Sequence, residues 1–389
     1  MRNFIYYAPT KVFFGKDKEK EVGKIITDYG FKKIMMQYGK DSIKKSGLYD
    51  TVMKSLLDNG ITVIEVSGVE PNPKLDFVNN AAKIAKENEI EMILAVGGGS
   101  VIDSSKATAA AAFNDCDAWE FPTGNRTPEG SLPVGCILTL AAAGSEMSAS
   151  AVITNTNLNM KKGFGTDYNR CLFAIMNPEL TYTVSKYQTA CGIVDIMAHT
   201  IERYFIDCEP TDITDQIAEG ILRSVIKAGK TLMENLCDYD ARANMMWASS
   251  VSHNGLTGCG RDNSLAVHQL EHALSGEYDY IAHGAGLAVL IPAWARYVYH
   301  KKPERFAQFA RNVWDVKEKD DLKASLQGIE KMEEYFSFIG MPLKLREFNI
   351  PKDCLERLSD LCTFGKKRTV KSYIDLDYDV ILEIFKSCY

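Results

Sequence analysis

The segment ILAVGGGSVIDSSK, Ile93–Lys106, carries an apolar strand straight into three glycines and then into a helix. A strand that ends in glycine and restarts as a helix with no linker is the hinge of a strand–helix–strand unit. The rhythm repeats on the N-terminal side. KKIMMQYG reads as a strand, SIKKSGLYDTVMKSLLDNG as one helix closed by Gly60, ITVIEVSGV as a second strand and KLDFVNNAAKIAKENEI as an amphipathic helix. Units of this size imply a parallel sheet joined by right-handed crossovers and wrapped by helices. After Gly192 the character changes. TDQIAEGILRSVIKAGKTLMENL, ARANMMWASSVSHNGL and SLAVHQLEHALSG read as long helices with no strands among them. The 389 residues are also more than one core usually spans. The expected architecture is an α/β domain over residues 1–185 and an all-helical domain over 186–389, with a cleft between them.

Charge and composition remove several function classes. The net charge of -6 and the lack of any basic stripe leave no electrostatic footprint for nucleic acid. No uncharged apolar run approaches the ~20 residues of a membrane span. The opening MRNFIYYAPTKVFFG is broken by Pro9 and Lys11 and lacks a cleavage-site pattern, so it reads as neither signal peptide nor anchor. The ten cysteines are scattered, and none pair as C-x-x-C, against a zinc ribbon, an iron–sulfur cluster or a redox dithiol. Reduced thiols in a cytoplasmic protein are the simplest expectation.

Gly97, Gly98 and Gly99 lack side chains, so a phosphate can come close to their backbone N–H groups. Ser100 is expected to cap the helix that follows, whose N-terminus carries partial positive charge. The spacing is neither that of G-x-G-x-x-G nor that of a P-loop, and the same glycines would also serve a plain tight turn. A second segment, GCILTLAAAGSEMSASAVIT (Gly135 to Thr154), begins as a buried strand and dissolves into small residues. Small residues leave room for a flat ring or a ribose, and Thr139 and Ser145 offer hydroxyls. Ordinary packing would explain the alanines equally well.

The stretch GIVDIMAHTIERYF, Gly192–Phe205, is apolar on nearly every side, yet it places Asp195 and His199 four residues apart on one helical face. His268 and His272 repeat that spacing, and His283 follows on the loop that opens GAGLAVLIPAW. One carboxylate with imidazoles suits a borderline divalent ion such as Fe2+ or Zn2+, and such an ion would neutralise a buried aspartate. Taken singly, Asp195 could pair with Arg203, and each histidine could be a satisfied core residue. Spacing leaves open which of His268 and His272 would bind. His253 and His300 fall outside the pattern and read as structural.

With these residues in view, the chain resembles the iron-containing (group III) alcohol dehydrogenases, and within them the bacterial butanol dehydrogenase and NADPH-dependent aldehyde reductase branch. The resemblance rests on APTKVFFGK, GVEPNP, LAVGGGSVIDSSK, LPVGCILTLAAAGSEMS, GIVDIMAHTIERY, RANMMWASS and AHGAGLAVLIPAW, met in that order. It implies a dehydroquinate synthase-like fold whose cleft holds the active site, and it assigns Asp195, His199, His268 and His283 as metal ligands. It gives His272 a proton-relay or substrate role and places Gly97, Gly98 and Ser100 in the pyrophosphate loop, with Asp103 just behind as a further candidate for the catalytic machinery. Thr139, Ser145, Lys161 and Leu180 match positions beside the ribose and nicotinamide. Two departures bear on the substrate pocket: Ala273 follows His272 where many butanol dehydrogenases have a glutamate, and the loop from His272 to His283 is one residue longer than the common pattern.

A carboxylate after the first cofactor-side strand would bind the adenosine ribose and repel a 2'-phosphate. Here Gly39 aligns with that position, followed by Lys40 and Ser42, which favours NADP(H) over NAD(H). The expected reaction is hydride transfer between NADP(H) and short- to medium-chain primary alcohols or aldehydes, butanal foremost, with aromatic residues of the helical half lining an apolar throat. The rivals are an NAD-dependent polyol dehydrogenase and a non-catalytic sensor of metal and nucleotide. The family also implies a homodimer, joined through the N-terminal strand.

Overall fold

A computed structural model describes residues 1–206, 210–262 and 264–389, and Cys208 lies outside the described residues. The chain divides into two compact units, Tyr7–Val184, and Met1–Tyr6 together with Ser185–Tyr389. The first six residues group with the helical unit rather than with the α/β half, because the backbone N–H of Arg2 donates to the Gly260 carbonyl at 2.9 Å and its guanidinium pairs with Asp262.

The Tyr7–Val184 unit holds eight strands, β1 (Lys11–Phe14), β2 (Lys33–Tyr38), β3 (Thr62–Ser67), β4 (Met92–Gly97), β5 (Val134–Leu138), β6 (Ser150–Asn155), β7 (Met160–Gly165) and β8 (Phe173–Met176). Six form one parallel sheet in the order β1-β8-β5-β4-β2-β3, and β6 and β7 form a separate antiparallel pair. Every residue of β4 and of β5 is buried. That is the signature of a parallel strand covered on both faces, and it explains why these segments read as unbroken apolar runs. The helices of this unit are α1 (Val22–Asp28), α2 (Ser42–Lys45), α3 (Leu48–Asp58), α4 (Leu75–Glu87), α5 (Gly99–Asn114) and α6 (Glu120–Thr123), the last packed on β7. The single helix expected after β2 is therefore two, parted where the chain turns through a left-handed Gly47 (φ 77°).

The other unit is built from α7 (Lys186–Tyr204), α8 (Asp212–Glu234), α9 (Tyr239–His253), α10 (Ala266–Glu277), α11 (His283–Val298), α12 (Pro303–Trp314), α13 (Asp321–Phe338), α14 (Cys354–Thr363) and α15 (Tyr378–Ser387). Ser185 caps α7 by accepting from the N–H of Gln188 at 3.2 Å. From Thr189 to Tyr204 every residue of α7 is buried, as an all-round apolar pattern requires of a central helix. α8, α9, α10 and α11 all pack on it. Tyr204, Phe205, Trp294, Phe306 and Phe309 stack on one another in this core, all essentially inaccessible. These aromatics hold the bundle together instead of lining a throat.

Candidate functional site

In the helical unit, Asp195 and His199 project from α7, His268 and His272 from α10, and His283 is the first residue of α11. The approach of α11 to α7 is set by Gly284, where a β-carbon would collide with the carbonyl of Cys191. Glycine therefore lets the head of α11 touch α7 one turn before Asp195, and this brings His283 within reach. The Asp195 Oδ1 atom is the common point. It lies 3.1 Å from His199 Nδ1, 3.6 Å from His268 Nε2 and 3.8 Å from His283 Nε2. His272 lies to one side, its ring centroid 5.7 Å from that of His283 and 6.5 Å from that of His268.

Two further carboxylates support the imidazoles, and neither stood out in the sequence. Glu202, one turn after His199 on α7, pairs with His268 Nδ1 and also accepts from the N–H groups of Val267 (2.5 Å) and His268 (3.2 Å). It thus caps the start of α10, which has no side-chain cap of its own. Glu271, one turn after His268, pairs with His283 Nδ1. Both glutamates are buried. The signal that would have found them is position: each is an acid on a buried helix, three residues beyond a histidine and so on the same side of that helix. With its Nδ1 engaged, each ring is locked in orientation and presents Nε2 inward.

Two atoms at the centre, Asp195 Oδ1 and His268 Nε2, are buried and make no hydrogen bond. A buried carboxylate oxygen and a ring nitrogen left without a partner are costly unless something else occupies the point between them. Burial acts to raise the Asp195 carboxyl, but His199, His268 and His283 overcome it and hold the group well below the usual range. Burial also pushes His199 down to about 4, which keeps a lone pair on its ring at neutral pH. His268 stays up at about 9 despite burial, held there by Glu202 and Asp195. A buried carboxylate with three ring nitrogens gathered around one of its oxygens fits a divalent ion.

The α/β unit gathers the second group of expected residues at the carboxyl ends of neighbouring parallel strands, the position where open α/β sheets bind ligands. Gly39, Lys40 and Ser42 follow β2; Gly97, Gly98 and Ser100 follow or end β4; Thr139 follows β5; Leu180 lies just beyond β8. α5 begins at Gly99 with Gly98 as its N-cap, so Ser100 is inside the first turn and does not cap the helix. Gly98 has no side chain with which to cap this end, an arrangement that suits an anionic group at a helix N-terminus. The N–H of Thr139 donates to the Gly97 carbonyl at 3.0 Å and ties the two strand ends together. Lys40 forms an exposed ion pair with Glu70 at 2.8 Å. Leu180 packs on the sheet core and Lys161 lies on β7. Asp103 is committed to protein: it accepts from Ser145 Oγ and from the N–H of Val152. Ser145 is itself buried, its hydroxyl turned inward and away from the role of a free donor.

Comparison with known proteins gives the class. The model of the iron-containing alcohol dehydrogenases matches residues 9–178, and that of the C-terminal part of the Fe-containing alcohol dehydrogenase family matches residues 189–389. The chain belongs to the iron-containing alcohol dehydrogenase family, and it is an oxidoreductase acting on CH–OH groups. It is 44% identical to NADH-dependent butanol dehydrogenase A of Clostridium acetobutylicum over 100% of both chains, and 35% identical to the NADPH-dependent aldehyde reductase YqhD of Escherichia coli over 90% of each. The crystal structure of NADH-dependent butanol dehydrogenase A from Thermotoga maritima superposes with a TM-score of 0.96, at 37% identity, covering 100% of this chain and 99% of that one. Among the described residues no helix is long and apolar enough to cross a membrane.

Proposed function

We propose that this enzyme interconverts short- to medium-chain primary alcohols and aldehydes, with butanal as the preferred test substrate and NADP(H) favoured over NAD(H). In this reading Asp195, His199, His268 and His283 hold one divalent ion, Fe2+ or Zn2+. The observation that carries it is the pair of buried, partnerless atoms, Asp195 Oδ1 and His268 Nε2, at the focus of three helices. The ion supplies Lewis acidity toward a carbonyl or alkoxide oxygen. Glu202 and Glu271 orient His268 and His283 for that purpose. The uncapped start of α5 binds the pyrophosphate, and the strand ends on either side of β4 carry the rest of the dinucleotide. His272, half-buried beside His283, holds or releases the proton of the substrate oxygen at a ring nitrogen.

The preference for NADP(H) is supported by the absence of a carboxylate at Gly39 and by the neighbouring Lys40. An exposed, solvent-screened pair such as Lys40–Glu70 contributes little to stability, so the ammonium is easily recruited by a 2'-phosphate. The protein is further read as a cytoplasmic homodimer. β1 is the outermost strand of the sheet and Phe4, Ile5, Tyr6 and Tyr7 just before it are exposed, a combination suited to pairing with a second copy. The nine cysteines among the described residues are unpaired thiols. The test is oxidation of NADPH and NADH at 340 nm against an aldehyde panel after loading with Fe2+ or Zn2+. Butanal turnover with a higher kcat/KM for NADPH is expected, and no oxidation of either nucleotide with any aldehyde would overturn the reading.

A further inference from the structure

Lys106 is fully buried in the α/β unit. Its Nζ lies 2.5 Å from the Ser145 carbonyl oxygen, 3.1 Å from Ser145 Oγ, 3.1 Å from the Ser148 carbonyl oxygen, 3.3 Å from Ser148 Oγ and 3.0 Å from the Ser150 carbonyl oxygen. Three ammonium protons are thus shared among five oxygens, all from the short segment between Ser145 and the first residue of β6, Ser150. Burying a charge is costly, and an apolar side chain of similar volume is commonly no worse for stability. A lysine here therefore calls for a purpose that packing does not provide. One turn earlier on α5, Asp103 takes the Ser145 hydroxyl and the N–H of Val152, the latter at 3.0 Å. The two side chains grip the segment from Ser145 to Val152. Its other end is tied at Thr139 to Gly97, the last residue of β4, so the connection from β5 to β6 is held at one end by that strand end and at the other by α5. That helix carries the glycine turn at its head.

We infer that Lys106 is a positioning residue for dinucleotide binding: its buried ammonium fixes the course of the loop between Leu140 and Ser150 relative to the glycine turn at the start of the same helix. One rigid element thereby sets both the phosphate-binding turn and the loop beside it. The inference rests on the nucleotide-binding role proposed above.

The test compares the metal-loaded full-length enzyme with its Lys106→Met variant. The readouts are the dinucleotide Kd from NAD(P)H fluorescence, the KM values for dinucleotide and aldehyde, the metal content and Tm. Lys106→Met should raise the dinucleotide Kd and KM at least about tenfold, as small displacements of positioning elements do, with metal content unchanged. A variant that loses Tm yet keeps the wild-type Kd and KM would make Lys106 a packing residue and overturn the inference. Hydrogen exchange on the unaltered enzyme decides the matter even if the variant does not fold. The amides of residues 140–152 should be protected before any dinucleotide is added, and rapid exchange there would contradict a preformed clamp. If the wild-type enzyme itself binds no dinucleotide, the nucleotide reading falls and this inference with it.

Discussion

The candidate sites of the two units are built in opposite ways. The helical unit brings side chains to a point: Asp195, His199, His268 and His283 converge from three helices, each ring steadied by a carboxylate or a carbonyl. The α/β unit clears side chains away, offering glycines, the open end of a helix and a loop of small residues pinned from beneath by Asp103 and Lys106. A site built from donors depends on which residues are present. A site built from backbone depends on where the chain runs. Substitutions should therefore act differently in the two places.

His268→Ala gives the largest expected effect. Loss of a donor together with its Glu202 partnership should lower kcat/KM about a thousandfold, corresponding to several kcal/mol of electrostatic stabilisation. NADPH fluorescence should still report dinucleotide binding, since the surface proposed for it belongs to the other unit; loss of both together would break the comparison. Gly284→Ala tests a place where the helical site depends on the close approach of two backbones. A methyl against the Cys191 carbonyl has no room, so α11 must shift, at about 3 kcal/mol, read as a lower denaturant midpoint with less metal retained. Glu202→Gln keeps the shape and removes the charge behind His268. Metal affinity measured by chelator competition should fall roughly 10- to 100-fold, while an unchanged affinity would reduce Glu202 to a helix cap.

The smallest effect is expected at Asp215, an acid of the same unit that meets arginines instead of imidazoles. It pairs with Arg261 at 2.6 Å and with Arg305 at 2.7 Å. Burial acts to raise its carboxyl, yet hydrogen bonding and charge from Arg305 and Arg261 hold it below the ordinary value. The folded-state pKa lies below the unfolded value of about 3.9. Its contribution is thus complete above that value and is lost as the pH falls through the folded one. Asp215→Asn should lower stability by about 2 kcal/mol at neutral pH, less than a fully buried pair because Arg305 is partly open to solvent. The gap in Tm between variant and wild type should close in acid, with metal content unaffected throughout.

The same contrast decides how much could be read from the sequence. The fold was legible because β4 and β5 are continuous apolar runs and α7 is apolar all round, patterns that survive without coordinates. The β6–β7 pair was not, since SAVITN and MKKGFG are short and mixed in polarity. In the helical site the histidines announced themselves by type and spacing. Glu202 and Glu271 did not, because an acid three residues past a histidine resembles any solvated glutamate until burial is known. In the α/β site the glycines were plain, but Ser100 was misread as a cap and Ser145 as a free hydroxyl. Both errors concern where a side chain points, which small-residue segments leave undetermined. Lys106 was invisible for the same reason: nothing local distinguishes a buried lysine from a surface one.

Metal titration of the stripped enzyme tests the central claim most directly. After chelation, Zn2+ or Fe2+ added under anaerobic conditions should bind at one ion per chain by calorimetry and restore turnover of butanal. The Asp195→Ala variant should retain neither the binding nor the activity. Full turnover by the stripped protein, or one tightly held ion per chain in Asp195→Ala, would contradict a centre organised around that carboxylate.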